Sequence, residues 1–518
     1  MKRFDPAIGF SLFLAACALY LRTLAPSLLY GDSAEFQTIA YTLGLGHPTG
    51  YPIYILLAKL FTFIPVGDVA YRVNLFSAVC AALTVGLIYF IIRSLGGRVL
   101  SAIYGSLALT LMPLFWKHAS IAEIYTLSAA CLAFILLAVV QWKRSTQLRW
   151  LFMAGLVGGV SLGIHTTVVL AVPAILIYIA ISSFFPPTAV EEGYRTKTIL
   201  IAASGAILGA VMFLSTFYFL DSLDSRAGYY NTAVRPSLSV WGMTPADFDS
   251  PFERLAFLYF PPQFKDQFFN VTSKEITTRL QGFWDDAVLN VLLGSIAVVS
   301  LLLPRKDSPS RWRETLLLVL AFVTFMFFAL TYNVDDFYVY YIPVFVVLTI
   351  LVGLGVDAIL DLFMLIPRLS RFVPVGLGIV LLIFGLFSTV PDVPNRWQER
   401  VPPGLEDWEI HFFSFPDARR LEAEQIVNGI EDNAIVFTDW DRAYGFYYAA
   451  QVLQGRTGVS VHEAYPQDGV TQPADSTIAY IEANADSHPI YFSERPSQLA
   501  RLYKITRAGS GLFRIERK

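Results

Sequence analysis

Charge is scarce in this chain. Only 15% of its 518 residues are Asp, Glu, Lys or Arg, and 55% are hydrophobic; soluble domains carry about 25% charge, so an ordinary water-soluble globule is excluded. Cysteine is scarcer still. Cys17, Cys80 and Cys131 all lie within apolar runs, where they read as small buried hydrophobes and leave no disulfide scaffold or cysteine metal site. The chain has no concentrated basic patch and a net charge of −3, which argues against nucleic acid as a partner. It has no glycine-rich nucleotide loop, internal repeat or low-complexity tract. No small-residue cleavage site precedes Arg22, so the first apolar run, behind Lys2 and Arg3, is expected to be a retained helix.

What the chain has in abundance is apolar stretches of bilayer length. About twenty helical residues cross the hydrocarbon layer. Runs of that kind are read at 7–24, 70–92, 99–116, 121–141, 149–163, 166–184, 198–220, 287–304, 314–332, 338–365 and 372–390, eleven in all. With that count Lys2/Arg3, Arg93/Arg98, Lys143/Arg144/Arg149, Arg195/Lys197, Arg305/Lys306/Arg311/Arg313 and Arg368/Arg371 share one side, which the positive-inside rule makes cytoplasmic. The other side receives loop 22–69, the turns at Lys117-His118 and His165, a long loop over 221–286, the turn 332–336 and the tail. The stretch 51–65 is too short to span and reads as an amphipathic helix along the interface. The aromatic stretches 255–264 and 268–269 are expected at the bilayer surface.

These patterns predict an α-helical polytopic membrane protein. Residues 1–390 form the transmembrane part, and 391–518 a small extracytoplasmic α/β domain. In the tail a helix is expected over 417–430, strands at 434–438, 458–462, 477–481 and 489–492, and a helix at 443–453. Asp439-Trp440-Asp441 ends the first strand; it offers either a binding edge or a turn with a helix cap.

Polar residues gather directly after the first run, in Tyr30-Gly-Asp-Ser-Ala-Glu-Phe36 and Gly46-His-Pro-Thr-Gly-Tyr-Pro52. If a helix begins at Ser33, Asp32 and Glu35 face the same way and can address one bound molecule. The same spacing ahead of an apolar helix is that of a capping box, and sequence alone leaves both open. Arg22, Lys59, Arg72, Lys117 and His118 are cations at membrane ends on a side that should be poor in them, which makes them functional candidates or headgroup anchors.

The runs Gly31-Asp-Ser-Ala-Glu35, Thr42-Leu-Gly44, His47-Pro-Thr-Gly-Tyr-Pro52 and Tyr71-Arg-Val-Asn-Leu-Phe-Ser77 resemble the amino-terminal signature of a bacterial family related to the animal transmembrane O-mannosyltransferase that acts on plexin-type domains. More broadly they resemble the GT-C glycosyltransferases. The close likeness covers roughly the first hundred residues; Lys117-His-Ala-Ser-Ile-Ala-Glu-Ile-Tyr125, His165 and Asp335-Asp336 are weaker echoes. The resemblance implies a GT-C fold in a bacterial inner membrane and an extracytoplasmic site. It also implies a polyprenyl-phosphate sugar donor, mannose among the options, and a protein, lipid or glycan acceptor.

In that reading Asp32 is the general base and Glu35 its partner, an acceptor-positioning group or a cap. Arg72, His47, Lys117 and His118 hold the donor phosphate, Arg72 foremost because it lies in the matched run and a guanidinium forks onto two phosphate oxygens. Glu123, His165, Asp335 and Asp336 touch acceptor or sugar. No cofactor is expected, although Asp335 and Asp336 with Asp32 leave a hard-cation site open. The competing class is a transporter or flippase of a lipid-linked saccharide, which would usually show paired repeats and broken helices.

Overall fold

The computed structural model describes residues 4–184, 193–303, 311–364, 372–389, 393–463, 473–509 and 511–518. Lys2, Arg3, Arg305, Lys306, Arg368 and Arg371, used above for topology, lie outside them. All eleven apolar runs are built from helix. In chain order the helices up to the end of the membrane part are α1 (Asp5–Arg22), α2 (Gly31–Thr42), α3 (Pro52–Phe61), α4 (Val69–Ser94), α5 (Val99–Thr110), α6 (Pro113–Ala119), α7 (Tyr125–Ser145), α8 (Arg149–Ser161), α9 (Val172–Phe184), α10 (Tyr194–Ser222), α11 (Pro251–Tyr259), α12 (Ser273–Leu302), α13 (Trp312–Thr331), α14 (Tyr341–Met364) and α15 (Phe372–Thr389). Among the described residues eight helical segments are long and apolar enough to cross a bilayer. This is an integral membrane protein.

Three expectations change. The run 99–116 is not one straight helix: α5 and α6 meet at 67°, because Pro113 has no N–H for the ladder and its ring displaces the preceding residue from helical geometry. The outer loop expected over 221–286 ends sooner, since α12 starts at Ser273 behind a capping box in which Thr272 accepts from Glu275 N–H and Glu275 from Thr272 N–H. The short helix α3 is less an interface float than an inserted wedge. Ile53, Tyr54, Ile55 and Ala58 are buried, and only its far end, at Leu60 and Phe63, is exposed.

The two ends of the bundle differ chemically. At one end buried Asp5 accepts from Arg93 at 2.8 Å and Tyr89 at 2.9 Å, and Arg98 bonds Asp357 of α14 at 3.0 Å. The opposite end carries α2, α3 and the tail. The tail adds α16 (Val393–Glu399), α17 (Asp407–Ser414), α18 (Ala418–Asn428), α19 (Trp440–Tyr447), α20 (Asp475–Asn484) and a sheet of β1 (Ile435–Thr438), β2 (Ser460–Glu463), β3 (Ile490–Phe492), β4 (Tyr503–Arg507) and β5 (Phe513–Arg517). The sheet order is β2-β1-β3-β5-β4, with β1 parallel to β2 and β3, and β5 antiparallel to β3 and β4.

The expected strand at 477–481 is instead the middle of α20. Its Thr477 and Ile481, one turn apart, are both fully buried, and Thr477 donates to Pro236 O at 2.9 Å; so short a β-branched run fits either period. Strands β4 and β5 were not anticipated.

The tail does not hang free. Phe36, Ile39 and Tyr54 of α2 and α3 share one buried cluster with Val436, Tyr444, Tyr448 and Val461. Thr38 Oγ1 donates to Tyr444 O at 3.1 Å, and Tyr448 OH accepts from Ala70 N–H at 3.0 Å.

The bundle also contains a contact that tolerates no side chain. Gly155 and Gly159 of α8 face Gly205 and Gly209 of α10 so closely that a Cβ at Gly159 would lie 2.3 Å from Ala206 O, and one at Gly205 2.1 Å from Phe152 O. Small residues four apart let two membrane helices approach at backbone distance. Gly159→Leu is expected to destabilise the protein by about 2 kcal/mol or more. The check is the folded, monodisperse fraction after detergent extraction and its thermal midpoint, with Gly282→Leu, at an exposed position of α12 with open space around it, as the comparison.

Candidate active site

The helix α2 starts abruptly. Tyr30 is extended and Gly31 sits at φ +53°, a conformation that suits glycine. Asp32 therefore projects from the first turn, where the helix dipole favours an anion. No side chain caps α2, and the capping-box alternative fails on the hydrogen bonds. Asp32 Oδ1 accepts from Trp440 Nε1 at 2.8 Å, while both Glu35 oxygens turn to His47: Oε1 accepts from its backbone N–H at 2.8 Å and Oε2 lies 2.5 Å from Nδ1.

Glu35 is fully buried, so its partner determines the electrostatics. The Tyr51 hydroxyl donates its only proton to Pro48 O at 2.7 Å and lies 2.9 Å from His47 Nε2. Its oxygen must then accept from an Nε2–H. With Nε2 protonated, the Nδ1 contact to Glu35 holds one further proton between ring and carboxyl, and the raised His47 pKa assigns it to the ring. Burial by itself would lower the His47 pKa, but the carboxylates of Glu35 and Asp32 raise it to about 10. Burial pushes the Glu35 carboxyl up, opposed by His47. The His47 Nε2 also lies 3.9 Å from Asp32 Oδ2, so one imidazolium faces both acids.

Asp32 opens onto a cavity of about 230 Å³. Four stretches far apart in sequence line it: Tyr30–Ser33, the segment from Lys117 to Tyr125, the turn at Asp336–Val339, and the tail through Trp408, Glu409, Phe412 and Asp441. Glu123, Asp336 and Asp441 bring three more carboxyls besides Glu409. Burial raises the pKa of each, with Asp32 adding to the shift at Glu123 and Asp336 and the neighbouring Asp439 at Asp441. Against these stands Lys117, whose Nζ is 2.9 Å from Glu409 and over the Tyr338 ring at 5.6 Å. The tail helix α17 thus lies across the mouth, held by that ion pair and by Phe412 packed edge-on against Tyr30 at 4.6 Å.

The structure brings Asp32, Lys117, His118, Glu123 and Asp336 to this cavity, with Glu35 and His47 one layer behind Asp32. It does not bring Arg72 there. That guanidinium donates to the carbonyls of Thr62, Val66 and Gly67 at 2.8–3.0 Å, pinning the turn between α3 and α4; with its fork engaged by backbone, Arg72 is a structural clamp here. His118 lines the wall with its Nδ1 bonded to Leu114 O at 2.9 Å. His165 is enclosed by Tyr51, Tyr125 and Tyr340 and bonded to Thr167 at 2.5 Å, away from the lining. Asp335 is exposed beside the turn. Glu409 and Trp408 were missed; a dense aromatic run with two acids, Asp407 and Glu409, in 407–415 was the available signal. A metal could draw on Asp32, Glu35 and His47, whose ligand atoms lie within 4.8 Å of one another. A metal on His47 Nε2 would displace the Tyr51 contact, and one on Nδ1 the Glu35 contact.

Residues 32–188 match the family model described as the protein O-mannosyl-transferase TMEM260 N-terminal domain. The chain is 31% identical over 155 residues to the mouse protein O-mannosyl-transferase TMEM260, and 24% identical over 136 residues to its Dictyostelium discoideum counterpart. Those stretches are 30% and 26% of this chain but only 22% and 17% of the relatives. In fold the chain is similar to ArnT from Cupriavidus metallidurans bound to undecaprenyl phosphate. The TM-score is 0.60 at 14% identity, over 98% of this chain and 97% of that one. It is also similar to the archaeal oligosaccharyltransferase AglB from Archaeoglobus fulgidus, solved with an inhibitory peptide and a dolichol-phosphate. There the TM-score is 0.55 at 12% identity, over 100% and 75% of the chains. The fold is of the GT-C class.

The His47 shift carries a sign. A histidine raised from 6.5 to about 10 in the folded state contributes stability that is full below pH 6.5 and is lost as pH rises through about 10. The thermal midpoint in detergent is expected to fall between those limits, and His47→Gln to flatten that part of the profile. Midpoints measured every half unit check it; an equal fall in both proteins removes His47 as its source.

Proposed function

We propose that this protein is a membrane glycosyltransferase that moves a sugar, mannose in our reading, from a polyprenyl-phosphate donor to an acceptor hydroxyl on the extracytoplasmic side, in a bacterium the outer face of the cytoplasmic membrane. The observation that carries the reading is the position of Asp32. It stands at the first residue of the stretch similar to the O-mannosyltransferases, at the dipole-favoured end of α2, on the wall of a cavity that also receives Lys117. A carboxylate to take the acceptor's proton and a cation for the phosphate, facing one space, are what transfer from a lipid phosphate requires.

In the reaction the acceptor O–H gives its proton to Asp32 Oδ2 while the acceptor oxygen bonds the anomeric carbon. The bond from that carbon to the phosphate oxygen breaks, and its electron pair stays on the phosphate. Lys117 neutralises the charge that develops there. Glu409 holds Lys117 now and must yield it when the donor arrives. Glu123 and Asp336, whose carboxyls burial disposes to keep a proton, suit sugar hydroxyls as hydrogen-bond partners. His47 and Glu35 hold the acid pair in place. Since the donor brings a single phosphodiester and Lys117 answers it, a divalent ion has no required part, and turnover in EDTA is expected to match turnover without it.

The test is to incubate the protein, reconstituted in sealed lipid vesicles, with radiolabelled polyprenyl-phosphate mannose and an extract of secreted proteins, lipids and glycans. Label on an acceptor together with free polyprenyl phosphate is expected. Movement of intact donor across vesicles with no phosphate release contradicts transfer and indicates a flippase. Asp32→Asn is expected to lower transfer by ~10²-fold or more in folded protein.

The Lys117–Glu409 pair makes a separate forecast about donor affinity. Lys117→Ala is expected to weaken polyprenyl-phosphate binding by about 2 kcal/mol or more, and Glu409→Gln to strengthen it by freeing the ammonium. Equilibrium binding in detergent at fixed salt checks both, and an unchanged affinity in Lys117→Ala removes Lys117 from the donor site.

A further inference from the structure

Asp439-Trp440-Asp441 is the sequence feature that the proposed reaction leaves without a role. The turn is a helix cap in part, since the Asp439 side chain accepts from Arg442 N–H at 3.1 Å. Trp440 does something that a cap does not need. Its Nε1–H donates to Asp32 Oδ1 at 2.8 Å, joining residues 408 positions apart. An indole can only donate. This is the one direct side-chain hydrogen bond recorded for Asp32 among the described residues; His47 Nε2, already engaged by Tyr51, stands off at 3.9 Å.

The indole is itself held firmly. Tyr444, Tyr229 and His47, from three different stretches, surround it edge-on at 5.2, 5.9 and 6.0 Å. The frame behind it is clasped twice. Thr38 Oγ1 of α2 donates to Tyr444 O, and the buried Arg419 donates to Asp441 O at 2.9 Å while its guanidinium lies 3.5 Å from the Tyr30 ring centre. An aspartate carboxyl otherwise rotates through a broad, weakly defined χ2 well. The side chain of Asp32 is 42% exposed, too open for packing alone to fix its plane.

We propose that Trp440 is a positioning residue for the base: its indole N–H holds Oδ1, sets the plane of the Asp32 carboxylate and leaves Oδ2 to face the acceptor hydroxyl. The tail then completes the site instead of merely covering it. The proposal rests on the reading of Asp32 as the base of the proposed transfer.

The test uses the full chain in lipid nanodiscs, with release of polyprenyl phosphate from synthetic polyprenyl-phosphate mannose as the assay. Trp440→Phe keeps a ring among Tyr229, His47 and Tyr444 and deletes the donor. It is expected to lower kcat about 10-fold to 100-fold with the donor KM changed by no more than about twofold, and to add no further loss in an Asp32→Asn background. A wild-type kcat in Trp440→Phe, or losses that multiply in the double variant, overturns the proposal. A second reading needs no activity. In [15N]tryptophan-labelled protein the indole resonance of Trp440, identified by its loss in Trp440→Phe, is expected to move upfield in Asp32→Asn; a resonance that stays put overturns the contact. If the wild type releases no phosphate from polyprenyl-phosphate sugars, the glycosyltransferase reading falls, and the resonance still decides whether Trp440 holds Asp32.

Discussion

A carboxylate with no access to water sits at the end of the bundle that carries the tail. Burying an unpaired charge is so costly that the group must find a partner or give up its ionisation. Glu35 finds His47, and every feature nearby follows from keeping the two together. The backbone N–H of His47 adds a second bond to the same carboxylate, Tyr51 takes the other ring nitrogen, and the turn 47–51 is thereby fixed against α2. The charge that remains on the ring faces Asp32.

The rest of that end of the bundle is assembled onto that unit. Loop residues that the chain separates by hundreds of positions meet around one space because the membrane helices deliver their outer ends together. The 67° break before α6 brings Lys117 inward instead of letting the helix run on. The tail joins the same core as α2 and α3, so its position over the cavity is set by apolar burial. Its polar contacts, Trp440 on Asp32 and Glu409 on Lys117, are consequences of that docking. They place an aromatic donor on one catalytic candidate and a competing anion on the other. Docking of the tail and occupancy of the cavity are therefore coupled through two contacts that chemistry can vary one at a time.

Much of this was legible beforehand. The apolar runs, the side on which polar loops gather, and the pair Asp32 and Glu35 followed from hydropathy and spacing. The choice between a functional acid pair and a capping box did not, because it turned on His47, which the sequence places outside the helix. Arg72 shows the same limit: its position at a helix end suggests a phosphate fork, and only the fold shows three carbonyls of its own turn engaging it. Pro113 carried the signal for the broken helix. Residues 477–481 carried too little, since five alternating residues satisfy a strand and one turn of α20 alike. The part least accessible to sequence was the tail's approach to α2, a contact between residues 408 positions apart that no local pattern encodes.

The central claim is that the outer cavity holds the donor with its phosphate at Lys117 and its anomeric carbon before Asp32. A cryo-EM structure of the Asp32→Asn protein in nanodiscs, loaded with polyprenyl-phosphate mannose, tests it most directly. The account predicts phosphate density on Lys117, with Glu409 turned away and the sugar between position 32 and Asp336. Density for the phosphate elsewhere, at the turn held by Arg72 or among the lipid-facing helices, with the Lys117–Glu409 pair intact, would contradict it.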